Sequence, residues 1–99
     1  MKVEVLYFEG CPHHQPTVDL ARDVIADVGV DAELCEVEVR DHEEATRLRF
    51  LGSPSVRVDG VDIEPGARSR KDFAFGCRMY PGSGVPPRSL FVAALRGRE

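Results

Sequence analysis

Cys11 stands in the run F-E-G-C-P-H-H-Q-P, residues 8–16, with Gly10 before it, Pro12 after it, and His13 and His14 next. A thiol three residues from an imidazole is a pairing that can do chemistry. An imidazolium stabilises a nearby thiolate, and an imidazole can take the thiol's proton. A second sulfur, Cys77, lies in G-C-R at 76–78, where Arg78 can favour a thiolate. Two thiols and an imidazole also suit soft metals. The alternative metal set is therefore Cys11, Cys77 and His14, with two thiols sufficient for a linear mercury site. His13 and His14 are adjacent and cannot easily point at one ion together. Cys35 alternates with Val37 and Val39 and reads as a core thiol, because an unreactive buried cysteine behaves as a small hydrophobe. His13 and His42 read as surface residues.

The elements that must place these groups follow from periodicity. Residues 3–8, V-E-V-L-Y-F, alternate and are rich in β-branched and aromatic types, so they predict a strand. Apolar residues on both of its sides predict helices on both faces. Val18, Ala21, Ile25 and Val28, widened by Leu20 and Val24, predict a helix over 16–29, opened by Pro16 and ended by Gly29. Pro16 disfavours a helix running continuously from Pro12, so a short turn at 11–14 is expected before the regular helix. Residues 32–39 predict a second strand with one polar side, as at a sheet edge. Asp41 and Glu44 predict a capped short helix whose apolar face is Ala45, Leu48 and Leu51. Residues 55–58 predict a third strand, and Asp59-Gly60 a tight turn into a fourth at 61–63. Residues 64–85, with glycines at 66, 76, 82 and 84, form a long loop of a length that is often functional. Pro86 and Pro87 open a last helix carrying Leu90, Phe91, Ala94 and Leu95.

The order is β-α-β-α-β-β-α: an α/β fold with a mixed four-stranded sheet and helices on both faces. Helical crossovers predict that the first three strands run parallel, and the Asp59-Gly60 turn sets the fourth antiparallel to the third. Cys11 then falls where a strand ends and a helix begins, the place where open α/β sheets put their chemistry. Unpaired N–H groups at a helix start favour an adjacent anion such as a thiolate.

The chain has 99 residues, enough for one domain over 1–99, and a formal net charge of -4 that argues against nucleic acid as partner. Arg68, Arg70 and Lys71 cluster locally and read as a solvated loop. No stretch approaches a membrane span, and the opening M-K-V-E-V-L-Y-F is too short and too alternating for a secretion signal. Three widely spaced cysteines do not make a secreted disulfide framework. A cytoplasmic protein with no cofactor and no membrane partner is expected.

Taken together, G-C-P-H-H, the element order, and S-P-S ahead of a strand and hairpin resemble the thioredoxin fold. The chain is similar to glutaredoxins, with Cys-Pro-x-His at 11–14 in place of Cys-Pro-x-Cys, and closer still to a smaller group that shares three further segments. F-L-G-S-P with V-R-V-D-G (50–60), G-C-R-M-Y (76–80) and G-V-P (84–86) are similar to thioredoxin-family proteins, some of them selenoproteins, often labelled alongside alkylmercury lyases. The resemblance implies that Cys11 is the nucleophile and that Pro54 is a cis-proline facing it. It implies that Ser53 offers its backbone to a bound thiol peptide, with Pro12 beside the substrate. His14 replaces the second cysteine, so a local dithiol cannot form, and the glutathione-binding segment of glutaredoxins is missing.

Three functions follow as expectations. The first is a thiol–disulfide oxidoreductase or redox protein with Cys11 as nucleophile, Cys77 or an external thiol resolving the intermediate, and protein or small-molecule thiols and disulfides as partners. The second is binding of mercury, copper or zinc by Cys11 and Cys77. The third is a non-catalytic thioredoxin-like adaptor.

Overall fold

The computed structural model describes residues 1–97. The chain alternates strand and helix in the order β1 (Lys2–Tyr7), α1 (His14–Val28), β2 (Glu33–Glu38), α2 (His42–Arg47), β3 (Ser55–Val58), β4 (Val61–Asp62), a 3-10 turn (Pro65–Ala67) and α3 (Arg88–Arg96). The four strands form one mixed sheet in the order β2-β1-β3-β4.

β1 pairs with β2 in parallel and with β3 antiparallel, so Val5 stands between Glu36 and Val56. The expectation of three parallel strands is thus corrected at β3. The reason is length. Six residues of α2 advance the chain by only about 9 Å, whereas β1 is about 20 Å long. The crossover cannot return to the start of β1. The chain instead meets its far end, where the Phe8 N–H donates to Ser53 Oγ at 3.3 Å, and β3 runs back from there. The β3–β4 turn follows its sequence signal: Asp59 and Gly60 have φ of 50° and 83°, the two positive values a tight hairpin needs.

Two cores result from the period-two alternation of β1. Val3 and Val5 join Val56 and Val58 of β3 against Val18, Ala21 and Val24 of α1 and Phe91, Ala94 and Leu95 of α3. Leu6 faces the other way, toward Val39, Ala45 and Phe50, with Phe75 of the long loop packed on them. Each buried Phe or Leu contributes roughly 1.5–3 kcal/mol. α1 and α3 therefore cover one face and α2 the other. Arg88 of α3 also spans Asp23 and Asp27, one turn apart on α1, at 2.6 and 2.9 Å. These exposed pairs contribute little. Among the described residues no helix is long and apolar enough to cross a membrane.

α1 begins two residues earlier than Pro16, with His13 as its cap residue. Pro16 still falls in the first turn, where its missing N–H has no intrahelical partner to lose. α2 is capped as its sequence predicts: Asp41 Oδ1 accepts from the Glu44 N–H at 2.8 Å. Cys35 departs from expectation. It lies on the edge strand β2, half-buried, with its thiol on Glu33 Oε2 at 3.2 Å. That hydrogen bond first, and burial second, raise its pKa. An edge strand has only one neighbour to bury it, so the edge position that the alternation predicted leaves even its apolar side half-covered.

Candidate functional site

The first strand ends in a tight turn. The Cys11 N–H donates to the Phe8 carbonyl and the His14 N–H to the Cys11 carbonyl, both at 3.3 Å. Gly10, with φ of 88°, permits the bend. The turn folds Cys11 inward, so that only 9% of it is exposed. Pro12 is left at the exposed tip. The thiol is thus less open than its place between strand and helix suggests, because the turn closes on itself before α1 begins. The helix's first bonded N–H meets the Cys11 carbonyl and not its sulfur.

His14 has two partners of its own. Its ring stacks on Tyr7, with centroids 3.6 Å apart and planes 5° from parallel, and Nε2 lies 2.6 Å from Glu36 Oε1. The cause is helical spacing. His14, Val18 and Ala21 share one stripe of α1, and that stripe faces the sheet. His14 therefore caps the stripe over Tyr7, the last residue of β1 on the same side as Val3 and Val5. The Tyr7 phenol is raised by burial first and then by the charges of Glu38, Glu36 and Glu9. By sequence, Tyr7 belongs to a strand with apolar residues on both sides and Glu36 to the polar side of another. The signal that joins them was the coincidence of the helix stripe at 14-18-21 with the strand register. The His13 ring, expected at the surface, packs against Gly84 so closely that a side chain there would overlap it.

On the other side of β1 lies Ser53, whose peptide bond to Pro54 is cis. Both backbone groups of Ser53 are engaged by the chain's own long loop. The Ser53 N–H donates to the Gly76 carbonyl at 2.8 Å, and its carbonyl accepts from the Arg78 N–H at 3.0 Å. Cys77, between those two contacts, therefore pairs with Ser53 as in a parallel sheet. Residues 77–80 alternate: Cys77 and Met79 face solvent, whereas Arg78 and Tyr80 are buried. The loop thus runs as an extended strap along 52–55.

Buried polar bonds hold the strap. Arg78, 3% exposed, donates to Asp62 Oδ2 at 2.7 Å and Oδ1 at 3.1 Å, to Glu64 Oε1 at 2.8 Å and to Ser55 Oγ at 3.1 Å. Burial opposes its charge, but the Asp62 hydrogen bond leads the influences that outweigh burial and hold the guanidinium well above its ordinary value. Its guanidinium lies over the Tyr80 ring at 4.6 Å, and the Tyr80 hydroxyl donates to the Pro54 carbonyl at 2.7 Å. Gly52 fits this contact because a Cβ there would lie 2.8 Å from the Arg78 Cβ, and its φ of 116° suits glycine. The sequence offers Arg78 two readings, a guanidinium that favours a thiolate or a plain surface arginine. It is neither, and the pairing of its inward position with Asp62 and Glu64, two residues apart, was the sequence signal available.

The three cysteines are free thiols. Among the described residues, no three His, Cys, Asp or Glu side chains gather as around one metal ion. The alternative set of Cys11, His14 and Cys77 is therefore not assembled. No family model, no curated protein and no solved structure matches the chain.

The two tyrosines give a pH prediction. Burial, ahead of the charges of Asp62 and Glu64 and against that of Arg78, raises the Tyr80 phenol. Tyr7 is raised as well, so both ionise later in the folded chain than the ordinary phenol value of 10.0. A raised phenol favours the folded state while both states stay protonated. That contribution is complete below pH 10.0 and is lost as pH climbs through the folded value. An ultraviolet titration should show both native phenols ionising above the pH at which the denatured chain does. Coincident native and denatured curves would contradict the burial of Tyr80 beneath the strap.

Proposed function

We propose that the protein is a thioredoxin-like thiol–disulfide oxidoreductase whose nucleophile is Cys11 and whose resolving thiol is Cys77. The observation that carries this reading is the pairing of Cys77's segment with Ser53, next to the cis Ser53–Pro54 bond. Phe8 connects the two halves, since its N–H meets Ser53 Oγ and its carbonyl meets the Cys11 N–H. In this reading the chain supplies, at Ser53, its own cysteine-bearing strand.

The chemistry runs in two steps. The Cys11 thiolate attacks one sulfur of a disulfide RSSR, forming Cys11–S–S–R and expelling RS⁻. The Cys77 thiolate then attacks the Cys11 sulfur, forming Cys11–S–S–Cys77 and expelling the second RS⁻. RSSR gains two electrons, the two protein thiols lose them, and the two protons leave to solvent. His14, held on Tyr7 and Glu36, stays outside the exchange. Because the backbone of Ser53 is already paired, small-molecule disulfides are better substrates than extended peptides. A dithiol reductant such as dithiothreitol returns the protein to its starting state.

The test is turnover. With excess dithiothreitol and a small disulfide such as hydroxyethyl disulfide, the protein should accelerate thiol release above the uncatalysed rate. The rate should be first order in protein. No acceleration at any protein concentration would remove the oxidoreductase reading.

A further inference from the structure

We propose that the arginine-lined cavity between residues 49–51, which follow α2, the β3–β4 turn and residues 67–73 is a binding site for a small phosphate-type dianion. The cavity holds about 270 Å³ and is lined by Arg49, Arg57, Arg68, Arg70, Asp62 and Phe73, among others. Four arginines lining one space in a chain of net charge -4 is a concentration that composition alone opposes. The site is separate from the thiol chemistry, and nothing in it depends on Cys11.

Among the described residues, the nearby carboxylates leave two of these arginines, Arg49 and Arg57, without an ion pair. Asp62 is the acidic residue of the lining, and both of its oxygens are held by Arg78, outside the cavity. Asp72 pairs with Arg70 on the exposed rim, at 2.6 Å. Arg57 is half-buried, and its hydrogen bonds run to two neutral carbonyls, Leu48 at 2.7 Å and Arg49 at 2.8 Å. Burial lowers its pKa, ahead of the charges of Glu4 and Asp62 that act the other way. Among the described residues, neither Arg49 nor Arg57 forms an ion pair with a carboxylate. A desolvated cation without an anionic partner is the arrangement an incoming oxyanion would complete.

Arg49 supplies the second, independent observation. Its φ is 57°, the left-handed region that glycine or asparagine enters more readily. A turn that needed only this backbone would be served by glycine. Arginine there instead lays its guanidinium 5.0 Å from the centre of the Phe73 ring, in the cavity wall. Backbone strain retained for the sake of a side chain is characteristic of functional positions. Arg57 also holds the Leu48 and Arg49 carbonyls just after α2 and so has a structural duty, whereas the Arg49 side chain rests on Phe73.

Size and charge select the ligand. Cavities for small molecules start near 300 Å³, so this one takes a compact molecule and not a nucleic-acid strand. Guanidinium forks match the paired oxygens of phosphate.

The test uses the full chain at constant ionic strength, titrated with inorganic phosphate, phenyl phosphate and succinate, and followed by calorimetry and by the arginine Nε–H resonances. Saturable binding of phosphate or phenyl phosphate is expected, with shifts at Arg49 and Arg57. Arg49→Gly, which suits the backbone, should weaken it at least tenfold, and Arg57→Lys should weaken it too. Tighter binding of phenyl phosphate than of inorganic phosphate would assign a phosphate ester, and the reverse order the free anion. Absence of saturation, unchanged affinity in Arg49→Gly, or tighter binding of succinate would overturn the proposal.

Discussion

Replacing Arg78 with alanine is expected to lower the stability of the fold by about 3–5 kcal/mol, the cost of removing one partner from a buried ion pair. Such a loss is a large part of the 5–15 kcal/mol that holds a small domain together. The substitution leaves Asp62, 9% exposed, with its carboxylate uncompensated, and it strips a donor from Glu64 and Ser55. It also removes the guanidinium from the face of Tyr80. The pairing of residues 76–78 with Ser53 should loosen with it, because the Arg78 side chain ties that strap to β3 and β4. Urea unfolding gives the stability, and hydrogen exchange at the Ser53 and Arg78 amides reports the strap. Replacing Asp62 as well, by Asn or Leu in the Arg78→Met background, should recover part of the loss, since two apolar or neutral partners leave no charge stranded. A loss below about 1 kcal/mol, the scale of an exposed pair, would contradict the burial of this network.

The second large effect is on chemistry. Cys11→Ser is expected to reduce disulfide turnover to the rate of buffer, because a hydroxyl is a far weaker nucleophile than a thiolate. Cys77→Ser should act differently. The first exchange still occurs, one equivalent of thiol is released, and the small thiol stays on Cys11 as a mixed disulfide until dithiothreitol removes it. The mass of the intact protein distinguishes the two variants. Residual turnover in Cys11→Ser, or an adduct confined to Cys35 or Cys77, would assign the nucleophile elsewhere. Cys35 serves as an internal control. Its thiol is hydrogen-bonded to Glu33 and its pKa is raised, so it is the slower nucleophile at neutral pH.

Much of the architecture was legible because each element announces itself locally. The 18-21-25-28 stripe, the Asp41 cap, the Asp59-Gly60 turn and the two prolines before α3 each correspond to an observed element. The direction of β3 was not legible from motif order, since it depends on how far a six-residue helix can carry the chain. At the site, the turn around Cys11 followed from the order of elements, whereas the proximity of Ser53 to the end of β1 depends on the antiparallel direction of β3. The placement of His14 required knowing which face of α1 meets Tyr7. The burial of Arg78 required knowing that residues 76–78 pair with Ser53, ahead of β3, and nothing in a glycine-rich loop declares that pairing. Cys77 was singled out as a sulfur in a long loop. Its strand-like pairing with Ser53 is what the fold adds.

The central claim is that Cys11 and Cys77 act as one redox pair. The most direct measurement is a peptide map of the protein after reaction with one equivalent of hydroxyethyl disulfide, with free thiols blocked before digestion. A peptide joining Cys11 to Cys77, with Cys35 blocked as a free thiol, is the result expected. Cys11 recovered as a free thiol, or found in a bond to any residue other than Cys77, would contradict it.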